Sequence, residues 1–259
     1  MRRAPVQRWL APAAVLVALL CAWELAARWD LLANALSIED FLVPAPSEVA
    51  QALWEDRSLL AEDGWVTLRE VVLGFCLALA AGTGFAVLLH LSETLRRAVY
   101  PLIVASQTVP IIVIAPILVV WFGFGITPKL LIIALICFFP ITVNTLDGLR
   151  SVDPDLLKMM RTLDAGRARI LWGVEAPSAL PYMFSGAKIA VAVAVIGAVF
   201  GEWAGSDAGL GHLMLTASAQ LLTARLFAAV VVLSIFAIAL FGLLTLLERR
   251  LVDWGPRET

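Results

Sequence analysis

Ionisable or amide side chains set inside long apolar runs are the residues most able to do chemistry in this chain, because such positions are costly unless they are used. Lys188 and Glu202 bracket one such run. At 14 residues apart they fall within ~40° on one helical face and ~21 Å apart along the axis, so they cannot pair within one helix. Lys188 can snorkel to an interface or face a polar path. Glu202 reads either as a solvated helix end or as a group that meets a passing solute. Gln107 and Thr108 precede Pro110 and Pro116 in a second apolar run, and Asn144 with Thr145 closes a third. Proline in such a run removes a backbone hydrogen bond and kinks the helix, which suits a gate and equally suits packing. These groups suggest a polar route through an apolar medium rather than bond-making chemistry.

Catalytic constellations are missing from the sequence. No paired aspartates, Ser/His pair or metal cluster shares a common depth, so no catalytic residue and no metal site is expected. The three cysteines (Cys21, Cys76, Cys137) lie singly in apolar runs, and His90 and His212 have no metal-like companions. Gly123 to Lys129 fails as a phosphate-binding loop because position 128 is proline.

The elements that must position these groups are membrane helices. Of 259 residues 61% are hydrophobic and 15% charged, against ~25% charged in soluble domains; mean hydropathy is +0.91. With ~20 apolar residues per span, six segments qualify: 10–27, 68–91, 100–122, 128–146, 181–200 and 226–247. The predicted class is all-α, one polytopic transmembrane domain over 1–259. Segment 10–27 follows Arg2, Arg3 and Arg8 as a signal peptide would, but Trp23, Glu24 and the lack of a cleavage site favour a retained span. Lys and Arg counts put both termini and the 149–180 loop on the cytoplasmic side. The acidic segment 28–67 then lies outside. Within it Ser47 is expected to cap a short helix. Gly82 and Gly84 are expected to allow close helix packing, and Gly205, Gly209 and Gly211 to make an outer loop flexible. A net charge of −2 gives no basic field for nucleic acid.

Loop 149–180 is the most informative stretch. Asp153 fits an N-cap, Pro154 the first helical position, and Asp155 the helix dipole. Leu156, Met159, Met160 and Leu163 recur at helical spacing, with Lys158 and Arg161 opposite. Asp164-Ala165-Gly166 reads as a break, followed by a second short helix over 167–174 that Pro177 and Pro181 end. Two short helices tied to spans four and five can lie on the membrane surface or act as a lever against a cytoplasmic partner.

The run Lys158-Met159-Met160-Arg161-Thr162-Leu163-Asp164-Ala165-Gly166-Arg167, followed by Ile170-Leu171-Trp172 and Ala176-Pro177-Ser178-Ala179-Leu180-Pro181, resembles the EAA loop of binding-protein-dependent ABC importer permeases. The likeness extends from about Val43 to Trp254 and includes Trp121-Phe122-Gly123-Phe124-Gly125 and Gly148-Leu149-Arg150-Ser151-Val152-Asp153-Pro154. It is similar to the nitrate, sulfonate and taurine branch. The stretches around Lys188 and Gly201-Glu202-Trp203 are nearer to permeases for hydroxymethylpyrimidine-type thiamine precursors or riboflavin.

The resemblance implies a non-catalytic inner-membrane subunit with a solute pathway. Lys158, Arg161, Leu163, Asp164, Ala165, Gly166 and Arg167 would seat on a separate ATPase that binds the ATP, so no cofactor is expected here. Further implied partners are a periplasmic or lipid-anchored solute-binding protein, a second copy of the chain and membrane lipid. Gln107, Thr108, Asn144, Lys188 and Glu202 are the pathway candidates. Sulfonate, taurine or nitrate transport is the alternative within the class, and a stand-alone channel or secondary transporter the alternative outside it. Two positions depart from the family pattern: Lys158 stands where it has Glu, and Asp164 where it has Gly.

Overall fold

The computed structural model describes residues 5–29, 39 and 42–252. Arg2 and Arg3, which precede the first expected span, and Trp254, where the family likeness ends, lie outside the described residues. Those described are almost entirely helical and contain no strand. Helix α1 (Pro5–Arg28) coincides with the first expected span and is followed by the short α2 (Pro46–Glu55). Next come α3 (Arg57–Leu91), α4 (Glu93–Ser106), α5 (Ile111–Phe122) and α6 (Ile126–Arg150). The exposed α7 (Pro154–Thr162) precedes α8 (Arg167–Gly205), α9 (Leu210–Ala219) and α10 (Thr223–Leu251). α3, α6, α8 and α10 are each long and apolar enough to cross a bilayer, and the α4–α5 pair taken together makes a fifth such unit.

The centre of the bundle is α6, clamped between α3 and α8. Glu70 meets Lys129, Gly74 meets Ile133 and Gly82 meets Ile141, each pair separated by 59 positions. That constant offset makes α3 and α6 parallel and in a single register. α8 runs antiparallel to both: Gly201 lies on Lys129, Gly197 on Ile133, Gly186 on the Pro140 carbonyl, and Gly148 on Tyr182. A Cβ at Gly186 would sit 2.6 Å from the Pro140 oxygen, so the backbones touch there and no larger residue fits. Gly82 packs as expected, whereas Gly84 has no atom within 4 Å of a built Cβ and faces open space.

Four local expectations change. Ser47 is not a cap: Ala45 holds that position, its N–H donating to Glu48 Oε2 at 3.0 Å, while Ser47 donates to Glu24 of α1 from both its N–H (3.0 Å) and its hydroxyl (2.8 Å). The helix of the second expected span, 68–91, begins earlier: residues 57–67 are the first turns of α3, whose 35 residues exceed a bilayer's hydrocarbon depth. Arg225 grips Asp56 at 2.7 and 2.8 Å and ties the start of α10 to the α2–α3 junction.

The third expected span is not a single kinked helix. α4 and α5 meet at 100° across residues 107–110. Pro110 cannot donate a backbone hydrogen bond and turns Val109 away from helical angles, whereas Pro101 and Pro116 remain inside their helices. At the start of α4, Arg96 and Arg97 each donate to Glu93 at 2.9 Å.

Nor do Pro177 and Pro181 end a second loop helix. Residues 167–205 form one helix with a π turn over Leu171–Glu175. In an α-helix Pro177 would clash with the Gly173 carbonyl. The widened π turn directly before it relieves that clash, so the chain continues into the span without a stop.

Candidate functional site

At one end of the bundle, called here the loop end, Asp153 caps α7 by accepting the Asp155 N–H at 2.8 Å. Pro154 occupies the first turn, as its fixed φ favours. No residue of α7 is buried. Leu156, Met159 and Leu163 are exposed, and so is Trp172 on the π turn. Lys158 donates to Asp155 at 2.8 Å with both side chains in solvent. The pair is local and neutral, so Lys158 has its own counter-ion one turn away.

Leu163 and Asp164 close α7. The Ala165 N–H reaches back to the Met160 carbonyl at 3.0 Å while Asp164 sits at φ 56. This is the left-handed cap usually given to glycine, and Asp is among the few other residues that adopt it readily. Gly166 has φ −64 and is the extended residue before α8. The departure at Asp164 therefore keeps the backbone shape of a glycine cap while adding a charge.

Arg167 opens α8 and reaches inward, its Nη1 3.5 Å from Glu175 Oε1. Glu175 is 1% exposed, and its other oxygen lies 2.9 Å from His90 Nε2 at the end of α3. Sequence reasoning gave His90 no companion and passed over Glu175, because the π turn that aims this carboxylate inward has no periodic signature.

The far end holds a second buried polar cluster. Lys129 donates to Glu70 Oε1 at 2.7 Å and to Ser206 Oγ at 2.6 Å. Thr67 donates to Glu202 Oε1 at 2.6 Å and accepts the Leu210 N–H at 2.8 Å. Glu202 Oε2 accepts the N–H of Gly211 and, at 3.4 Å, of His212, and Asp63 accepts the Gly209 N–H at 2.8 Å. Side chains from α3 and α8 thus satisfy the free N–H groups that begin α9.

Glu202 is 1% exposed, so it is not a solvated helix end. The loop glycines are tightly held rather than loose. Gly209 has φ 112, and a Cβ there would lie 2.3 Å from Glu202 Oε1. Lys129, the second residue of the fourth expected span, is buried.

The remaining candidates separate. Gln107 lines a cavity of about 380 Å³ at the α4–α5 break, with Ser106, Val109, Pro110 and apolar residues of α6 and α8 such as Leu135 and Ile196. Thr108, beside it, donates to the Ala105 carbonyl at 2.8 Å. Asn144 donates to the Pro140 carbonyl at 2.8 Å, and Lys188 pairs with Glu248 of α10 at 2.9 Å, each group about one-fifth exposed. Asn144, Lys188 and Glu202 are not among the cavity's lining residues. Glu248 had no signal beyond its place at a helix end.

Comparison with known proteins matches residues 74–253 to the family described as binding-protein-dependent transport system inner membrane component. A formylaminopyrimidine transport permease protein from Halalkalibacterium halodurans is 35% identical, over 96% of this chain and 97% of its own length. A riboflavin transport system permease protein from Chloroflexus aurantiacus is 36% identical, over 83% of this chain and 81% of its own. The taurine transport system permease protein of Escherichia coli is 30% identical, over 87% and 85%. Among solved structures, a chain of the MetNI methionine ABC transporter in an inward-facing conformation superposes with a TM-score of 0.63 at 20% identity, covering 78% of this chain and 98% of that one.

Proposed function

The chain belongs to the family of inner-membrane components of binding-protein-dependent transport systems, and from that premise we propose that it forms a solute pathway driven by a separate ATPase that docks on the 149–180 loop. It is a non-catalytic, multi-pass subunit of an ABC importer. The observation that carries the docking reading is α7: a capped helix with nothing buried and an uncovered apolar face, held between the ends of α6 and α8. Lys158, Arg161, Leu163, Asp164, Ala165, Gly166 and Arg167 form the contact. ATP is bound by the partner, a solute-binding protein delivers the solute at the far end, and a second copy of this chain completes the pathway. On this reading the loop end and both termini are cytoplasmic.

The test is affinity purification of the tagged chain from membranes in mild detergent. The ATPase should copurify with the native chain and be lost from Leu163→Asp at unchanged permease yield. Retention of the ATPase by that variant would remove the loop from the contact.

The solute we propose is a neutral pyrimidine-type thiamine precursor or a riboflavin-like vitamin. The cavity at the helix break supports it, since its lining carries the Gln107 amide, the Ser106 hydroxyl and apolar side chains but no charge. A charged or zwitterionic solute such as a sulfonate, nitrate or taurine would lose its hydration there without an ionic partner. Uptake of labelled hydroxymethylpyrimidine, competed by excess unlabelled riboflavin or taurine, separates the two readings.

A further inference from the structure

Glu175 is one of the buried polar groups whose contacts are incomplete. It is 1% exposed, yet neither its Oε2 nor the facing His90 Nε2 makes a well-aligned hydrogen bond among the described residues, although the two atoms are 2.9 Å apart. Its other oxygen is only 3.5 Å from Arg167. A carboxylate buried with incomplete contacts costs stability. It stands on the last residue of a π turn, and such turns are themselves concentrated at functional positions.

The three residues it brings together come from different parts of the machine. Arg167 directly follows the exposed loop. Glu175 closes the π turn, directly before α8 begins its run through the bundle. His90 is the penultimate residue of α3. α7 has no buried residue of its own, so a force on it reaches the bundle only through its tethers. One tether leads to α6, whose Gly148 is in close contact with Ala179 and Tyr182. The other leads through Arg167 and Glu175 to His90.

α3 carries Thr67 and Glu70 at its far end, ~34 Å from His90 for the 23 residues between positions 67 and 90. There Thr67 holds Glu202 and the start of α9.

We infer that Glu175, with His90, is a positioning pair that passes displacement of the docked loop to α3 and so to the far-end cluster. The inference rests on the reading that the loop seats on an ATPase. Neither residue touches ATP or solute; the pair transmits.

The experiment uses the complete complex, permease with its ATPase, in proteoliposomes, with the solute-binding protein added. Basal ATP hydrolysis and its stimulation by the binding protein are measured for the native chain, Glu175→Gln, His90→Gln and the double variant. The expected result is intact assembly, basal hydrolysis within about twofold of native, and stimulation reduced by about tenfold, inside the ~5–150-fold range of coupling between sites. The double variant should be no worse than either single one, as for two groups in one linkage.

Stimulation retained within about twofold would overturn the proposal. So would losses that multiply in the double variant, or failure of an otherwise folded variant to assemble with the ATPase. If Glu175→Gln does not accumulate, His90→Gln carries the same test. A native complex that contains no ATPase, or is not stimulated at all, would instead refute the functional reading on which the pair depends.

Discussion

Helix α8 has a buried carboxylate at each end, Glu175 and Glu202, both 1% exposed. Glu202 accepts from a hydroxyl and from backbone N–H groups, and its surroundings would leave no room for one added methyl at Gly209. Glu175 faces the His90 ring without a hydrogen bond to it and lies 3.5 Å from the Arg167 guanidinium. Equal burial therefore conceals unequal constraint. Glu202 is fixed by satisfied hydrogen bonds; the loop end keeps its carboxylate in a geometry that can be re-made. Changes at the far end should act on stability, and changes at the loop end on coupling.

The largest effect is expected for Gly209→Val. A side chain at φ 112 aimed into Glu202 should cost on the order of 3–5 kcal/mol, from backbone strain and overpacking together. Folded yield and the melting transition in detergent would read this; a near-native transition would mean the far end is softer than described.

Next is Lys129→Met, which leaves Glu70 and Glu202 buried without their ammonium. Glu70 Oε2 already has no hydrogen-bond partner among the described residues. Breaking one side of such a pair costs roughly 3 kcal/mol. The double variant Glu70→Gln/Lys129→Met should recover part of that loss, and an additive penalty would show the two groups to be independent.

Glu202→Gln should cost about 1–3 kcal/mol by weakening the acceptor for α9. Thermal denaturation should show it without a change in ATPase assembly.

The smallest stability effect belongs to the loop. Lys158→Glu removes an exposed pair worth under about 1 kcal/mol. Its melting transition should be native, while ATP-driven uptake changes. If uptake and stimulated hydrolysis are both native, Lys158 faces solvent rather than the partner, and the contrast between the ends loses its support at that residue.

How much of this was legible in the sequence depended on the range of the signal. The cap at Asp153 and Pro154, and the turn at Asp164, are local backbone chemistry and were readable. The apolar runs that become α3, α6, α8 and α10 were readable for the same reason. What escaped were pairings between distant residues: Glu70 with Lys129, His90 with Glu175, Lys188 with Glu248. A charge near a span edge looks solvated until the neighbouring helix supplies its partner.

The proline signals were misjudged in both directions. Pro110 breaks a span outright, while Pro177 is absorbed by a π turn that no residue pattern announces. The likeness to a known family covered the candidate loop well because that loop is contiguous. The broken-helix cavity assembles residues from 106 to 196 and is visible only once they are folded together.

The π turn at Leu171–Glu175 also sets a phase. Each residue of an α-helix advances the azimuth by ~100°. Deleting one residue within the turn would rotate the loop by about that angle against the span beyond Ala176, and would bring back the clash between Pro177 and the preceding turn. The chain thus contains a dial, one residue wide, that fixes which way the exposed loop faces relative to the span that follows it.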